Sequence, residues 1–264
     1  SNLWVSLCAG ALTNAFGGSP QYITFIFCGT FCAYGLNMLS GLEALRLSDT
    51  RSVRHHWWLR NWRIMQVFCG FAAFVAVTML PWLGLRAILL LSVPAFVTLL
   101  YVLPIFYWDS QWVKLREVGI GKAFLIAGVW ALFCSFTPLM MQQAPLQFTI
   151  ISTLSLGLFI LSITISFDVR DMDNDAQQRI STLPLLLGWR IALNISLIFL
   201  LISLLIRILN TYTDIITLTK VAVVYTATGI LIHRTNSSRS ETWFGFLLDG
   251  TMLALALVSR TGLL

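Results

Sequence analysis

The chain reads as long apolar runs separated by short polar breaks. Nine runs lie near 3–16, 20–42, 64–82, 85–107, 120–139, 146–167, 190–209, 215–232 and 243–260. Most approach the ~20 consecutive apolar residues that cross a bilayer core. Hydrocarbon offers no water to backbone N–H and C=O groups, so each run must close its own hydrogen bonds as a helix. The pattern predicts an all-α, polytopic membrane bundle of about nine transmembrane helices. No linker, low-complexity stretch or short repeat divides it, and residues 1–264 read as a single domain. The chain starts at Ser1 and its opening apolar run is short, which reads as a trimmed N-terminus without a cleavable signal peptide.

Composition agrees. Of 264 residues, 58% are hydrophobic and 11% charged, and the mean hydropathy is +0.82. A soluble domain ordinarily has about a quarter of its residues charged, so this chain cannot coat itself against water. The breaks are of two kinds. Those near 43–63, 109–119, 168–189 and 233–242, with the adjoining run ends, hold every Lys and Arg except Arg86, Arg207, Lys220 and Arg260. They also hold every acid except Asp214 and Asp249. The breaks near 17–19, 83–84, 140–145 and 210–214 are short and nearly uncharged. Nine runs put the two kinds on opposite sides, and the Lys/Arg excess marks the charged side as cytoplasmic. Trp57, Trp58 and Trp62 suit an interfacial belt there. The net charge of +6 forms no patch separate from the runs, which argues against nucleic acid. Cys8, Cys28, Cys32, Cys69 and Cys134 all lie in apolar runs and read as small buried hydrophobes.

The segment with the most chemistry follows the sixth run: SFDVRDMDNDAQQRISTLPLLLG, residues 166–188. Asp168, Asp171 and Asp175 are spaced i, i+3, i+7 and share one face of a helix. Three carboxylates so placed repel one another unless a cation lies among them. A hard divalent ion such as Mg²⁺ takes carboxylate oxygens, keeps several waters and bridges to phosphates. A solvated acidic loop that keeps a span end in water is the alternative. Asp173 points elsewhere and reads as solvated.

DVRDMDND followed by STLPLLLG resembles the second aspartate-rich motif of the UbiA superfamily of intramembrane prenyltransferases. That motif has the form DxxDxxxD, then a TLP-type turn and a glycine; Ala176 and Arg179 stand where Arg and Gly are frequent. The resemblance implies nine transmembrane helices with aspartate-rich motifs after the second and the sixth. The independent run count puts Asp168–Asp175 after the sixth. The first motif, usually NxxxDxxxD, is degenerate: Asn37 is present, but Gly41 and Leu45 stand at the acidic positions.

The resemblance implies transfer of a prenyl group from a prenyl diphosphate to a small-molecule acceptor, often aromatic, with Mg²⁺ as cofactor. Asp168, Asp171 and Asp175 would hold the metal, with Asn37 as a further ligand. Arg46, Arg54, Lys114, Arg116 and Arg170 are candidates for the diphosphate, although the helical angle of Arg170 directs it away from the three aspartates. Lys122 lies on the same face as Lys114 and Arg116. The loss of two first-motif acids supports a second expectation: a catalytically degenerate relative that binds an isoprenoid lipid or serves membrane assembly. Asp249, inside the last run, is either functional or a hydrogen-bonded group near the interface.

Overall fold

The computed structural model describes residues 2–40, 53–103, 106–108, 111–113, 115, 119, 121–178, 180–210 and 215–259. Its helices are α1 (Asn2–Ala15), α2 (Pro20–Ser40) and α3 (Val53–Val102). Then come α4 (Gly121–Met141), α5 (Leu146–Arg170), α6 (Met172–Gln177) and α7 (Leu183–Leu187). The last three are α8 (Trp189–Asn210), α9 (Ile215–His233) and α10 (Trp243–Ser259).

Six of these are long and apolar enough to cross a membrane. The apolar part of α3, Leu59–Val102, has 44 residues, about 66 Å at 1.5 Å per residue, twice a bilayer core. It breaks at Gly84, whose φ of 76° is closed to residues with a side chain. α3 is therefore two crossings, as the runs near 64–82 and 85–107 anticipate. The shorter α1 and α10 complete a bundle of about nine. The break near 109–119 includes part of a short hairpin, with β1 (Phe106–Trp108) antiparallel to β2 (Gln111–Val113).

The helices form a ring. Each long helix packs on the next, with α8 following α5, and α10 returns to α1. The seams use small and hydroxyl residues, which let backbones approach closely in lipid. Between α5 and α8, the Ser155 hydroxyl donates to the Ser203 carbonyl (3.0 Å) and Ser203 donates back to the Ser155 carbonyl (2.7 Å). Two turns on, Ser196 donates to the Ser162 carbonyl at 2.5 Å. The outer face is apolar: Val67, Phe71, Phe74, Val77 and Trp82 on α3 are each more than half exposed. This face belongs in lipid. Closure of the ring leaves a cavity inside, at the end where the charged breaks gather.

Candidate functional site

Two turns in the chain build the site. α5 ends at Arg170, and Asp171, at φ −90° and ψ 4°, leaves helical geometry and caps α6. The helical face expected to be shared by the three aspartates is thus interrupted, and they divide. Asp168 and Asp175, each only 3% exposed, converge from opposite sides of this bend. Between them lies the ammonium of Lys122, 3.1 Å from Asp168 Oδ1 and 3.2 Å from Asp175 Oδ2. Asp171 turns aside and takes a two-pronged bond from Arg170, whose Nε lies 2.7 Å from Oδ1 and Nη2 2.9 Å from Oδ2.

Lys122 stands in the first turn of α4, where the helix dipole disfavours a cation. Two buried carboxylates outweigh that local cost, since an opposite charge at contact distance is worth more than a helix end. Its backbone N–H donates to the Gly119 carbonyl at 3.0 Å. Gly119 has a φ of 82°, and a Cβ there would stand 2.9 Å from the Ser181 carbonyl oxygen. Ser181 belongs to the segment tied to the cluster by the Ile180 N–H, which donates to the Asp175 carbonyl at 2.9 Å. A glycine contact thus couples the lysine's helix entry to the second aspartate.

These groups line one cavity of about 240 Å³. Its polar mouth holds Asp168, Asp171, Asp175, Lys122 and Arg170, and Asn37 reaches it from α2. Tyr101 lines it from α3, Asn2 from α1 and Asp249 from α10. Ile126, Trp130, Ile160 and Ile163 form apolar wall. Arg170 corrects the sequence expectation: it faces the cavity rather than away, held against the rings of Phe167 (4.8 Å to the centroid) and Phe244 (5.4 Å). Asp249, 7% exposed, follows a π-helical stretch, Trp243–Leu248, within α10. The Nδ2 atom of Asn2 is buried without a hydrogen-bond partner.

Of the other candidates, Arg46, Lys114 and Arg116 lie outside the described residues, as do Gly41 and Leu45, and of Arg54 only the backbone is described. Asp173 is exposed. The sequence placed Lys122 with the basic loop residues and not between the aspartates. Its signal was available: a lone lysine in the first turn of an apolar helix needs a negative partner.

Does the donor set fit a divalent ion? Asp168 and Asp175 already direct carboxylate oxygens at a single cation, and oxygen donors are what Mg²⁺ takes. Two carboxylates suffice for a metal that keeps waters and shares substrate phosphates. The expected trio does not gather: among the described residues no three His, Cys, Asp or Glu side chains converge as a metal set. The donors fit in kind, with two protein carboxylates rather than three.

No family model matches the chain, and no curated protein does. Solved structures do. A UbiA homolog from Archaeoglobus fulgidus bound to GPP and Mg²⁺ superposes with a TM-score of 0.66 at 11% identity, covering 98% of this chain and 96% of that one. The apo structure of a UbiA homolog from Aeropyrum pernix K1 gives 0.65 at 13%, over 99% and 96%. A structure of digeranylgeranylglyceryl phosphate synthase gives 0.59 at 15%, over 98% and 91%. Likeness of this kind over nearly the whole of both chains, at such low identity, shows a shared fold.

Proposed function

We propose, from a chain that has the UbiA fold, that it is an intramembrane prenyltransferase moving a prenyl group from a prenyl diphosphate to a small-molecule acceptor with the help of Mg²⁺. The observation that carries this reading is the cation position shared by Asp168 and Asp175 at the mouth of an apolar-walled cavity. Similar folds solved with GPP and Mg²⁺ support it.

Asp168 and Asp175 would hold the metal, which when bound supplies positive charge against the diphosphate as it leaves. A prenyl diphosphate carries about three negative charges, and fixed donors aimed at its oxygens stabilise the charge that develops. Arg170 is set for this. Asp171 and the two aromatic rings hold its guanidinium in place, so it loses little freedom when it meets phosphate. Asp171 thus orients a diphosphate-binding arginine, while Asn37 offers an amide across the mouth. Ile126, Trp130, Ile160 and Ile163 would lie along the prenyl chain and keep water from the allylic carbon while its bond to oxygen breaks. The charged end of the bundle, and this mouth with it, would face the cytoplasm.

Replacing Asp168 with Asn and measuring release of diphosphate from labelled GPP with Mg²⁺ tests the reading. Turnover should fall at least ~100-fold, the scale of losing one electrostatic stabiliser; unchanged turnover would sink it. A second reading rests on Gly41 and Leu45, which replace the acids of the first motif. It makes the chain a binder of isoprenoid diphosphates that retains labelled GPP intact and releases no diphosphate.

A further inference from the structure

We propose that the position between Asp168 and Asp175 is exchangeable: Lys122 holds it at rest, and a divalent ion takes it as Lys122 moves onto the phosphate oxygens of the substrate. The proposal rests on the metal-and-diphosphate reading above and says how the site changes from one charge state to the other.

The two cations of the cluster are built differently. Arg170 is clamped, bound at two points by Asp171 and stacked on Phe167 and Phe244. Lys122 has no such clamp among the interactions described: its ammonium is ion-paired with the two carboxylates, with the charge of Asp171 adding to their attraction, and its side chain is 15% exposed and lines the cavity. A lysine is a point charge on a flexible four-carbon stem, able to swing without disturbing the backbone. The aspartates are fixed at both ends of a bend and only 4% exposed in their side chains. The lysine is therefore the mobile member.

Its departure has a strict condition. Two buried carboxylates facing one position without a cation repel each other in a medium that screens poorly. The ammonium therefore leaves only as another cation arrives. A metal alone competes with a tethered rival whose local concentration is high, and so binds weakly. A diphosphate gives the displaced ammonium a new partner at the same mouth, and the metal then binds more tightly. The sequence is consistent with a site short of fixed metal ligands, because the first aspartate motif lacks its two acids.

Mn²⁺ titration of the purified full chain in detergent, followed by electron paramagnetic resonance, tests the exchange without any turnover. The wild type should bind Mn²⁺ weakly. Lys122→Met should bind it about tenfold more tightly or better, within the usual range of coupling between sites, whereas Lys122→Arg should stay near the wild type. Mn²⁺ should also raise the unfolding midpoint of Lys122→Met but not that of the wild type. Should Lys122→Met fail to fold without metal, purification in Mn²⁺ should recover it, and failure of that rescue counts against the proposal. Inorganic pyrophosphate should tighten Mn²⁺ binding more in the wild type than in Lys122→Met. If the wild type binds Mn²⁺ and pyrophosphate but Lys122→Met gains no affinity, the exchange is overturned and the diphosphate reading stands. If neither protein binds Mn²⁺, even with pyrophosphate, both are overturned.

Discussion

Gly119 has no charge and touches no candidate ligand, yet it fixes where the lysine of the cluster enters its helix. Its left-handed φ and the nearby Ser181 carbonyl leave no room for a methyl group. Gly119→Ala should cost about 1–3 kcal/mol, the usual scale for a side chain held in a sparsely populated backbone region. It should also lower diphosphate affinity by moving Lys122, whereas a purely structural role would change the unfolding midpoint alone. Unfolding in detergent and pyrophosphate binding measured on the same sample separate the two. At this scale the sequence was only partly legible. The spacing of Asp168, Asp171 and Asp175 pointed to a divalent ion held by all three, whereas the cation in place is a lysine between two of them. Its identity as Lys122 depends on a pairing across 53 residues that no local pattern encodes.

Among the elements, α5 lines the cavity and packs on α8 behind it, in a seam that carries reciprocal serine hydrogen bonds within apolar packing. Tyr225 of α9 joins them, its hydroxyl 2.9 Å from that of Ser203 and its ring edge-on to Phe159 at 5.1 Å. Hydrogen bonds between membrane helices average about 0.6 kcal/mol each. The double variant Ser155→Ala, Ser203→Ala should therefore lose about 1–2 kcal/mol, read by unfolding in mixed micelles, with Mn²⁺ affinity unchanged. The run pattern located these helices to within a few residues because length and hydropathy are local properties. It did not reveal the bend at Asp171 or the π-helical stretches Leu132–Phe136 and Trp243–Leu248. In the first of these stretches a neighbouring helix takes up the backbone, the Tyr22 hydroxyl donating to the Phe133 carbonyl at 2.7 Å.

For the molecule as a whole, the alternation of charged and uncharged breaks predicts one orientation in the membrane. A cysteine introduced at exposed Ser238 should react with a membrane-impermeant maleimide only from the cytoplasmic side, and one at exposed Gln143 only from the opposite side. Reversed labelling would invert the topology and place the cavity mouth outside. Removal of divalent ions with EDTA should abolish diphosphate release while leaving the bundle folded, because the ring is held by helix packing and Lys122 still neutralises the aspartates. Circular dichroism before and after chelation checks the second half of that expectation.

By itself the sequence determined that the chain is a helical membrane bundle, how many times it crosses, and which end carries the charge. These follow from apolar length and Lys/Arg placement, which the bilayer reads segment by segment. It also singled out Asp168–Asp175 as the chemical segment. The tertiary structure alone decided which acids work together. Closing the ring brings α4 against α5, sets Lys122 between Asp168 and Asp175, and turns Asp171 to Arg170. Buried charges are satisfied by whatever partner the packing delivers: for Asp168 and Asp175 it lies far away in the chain, while for Asp171 it is the adjacent Arg170.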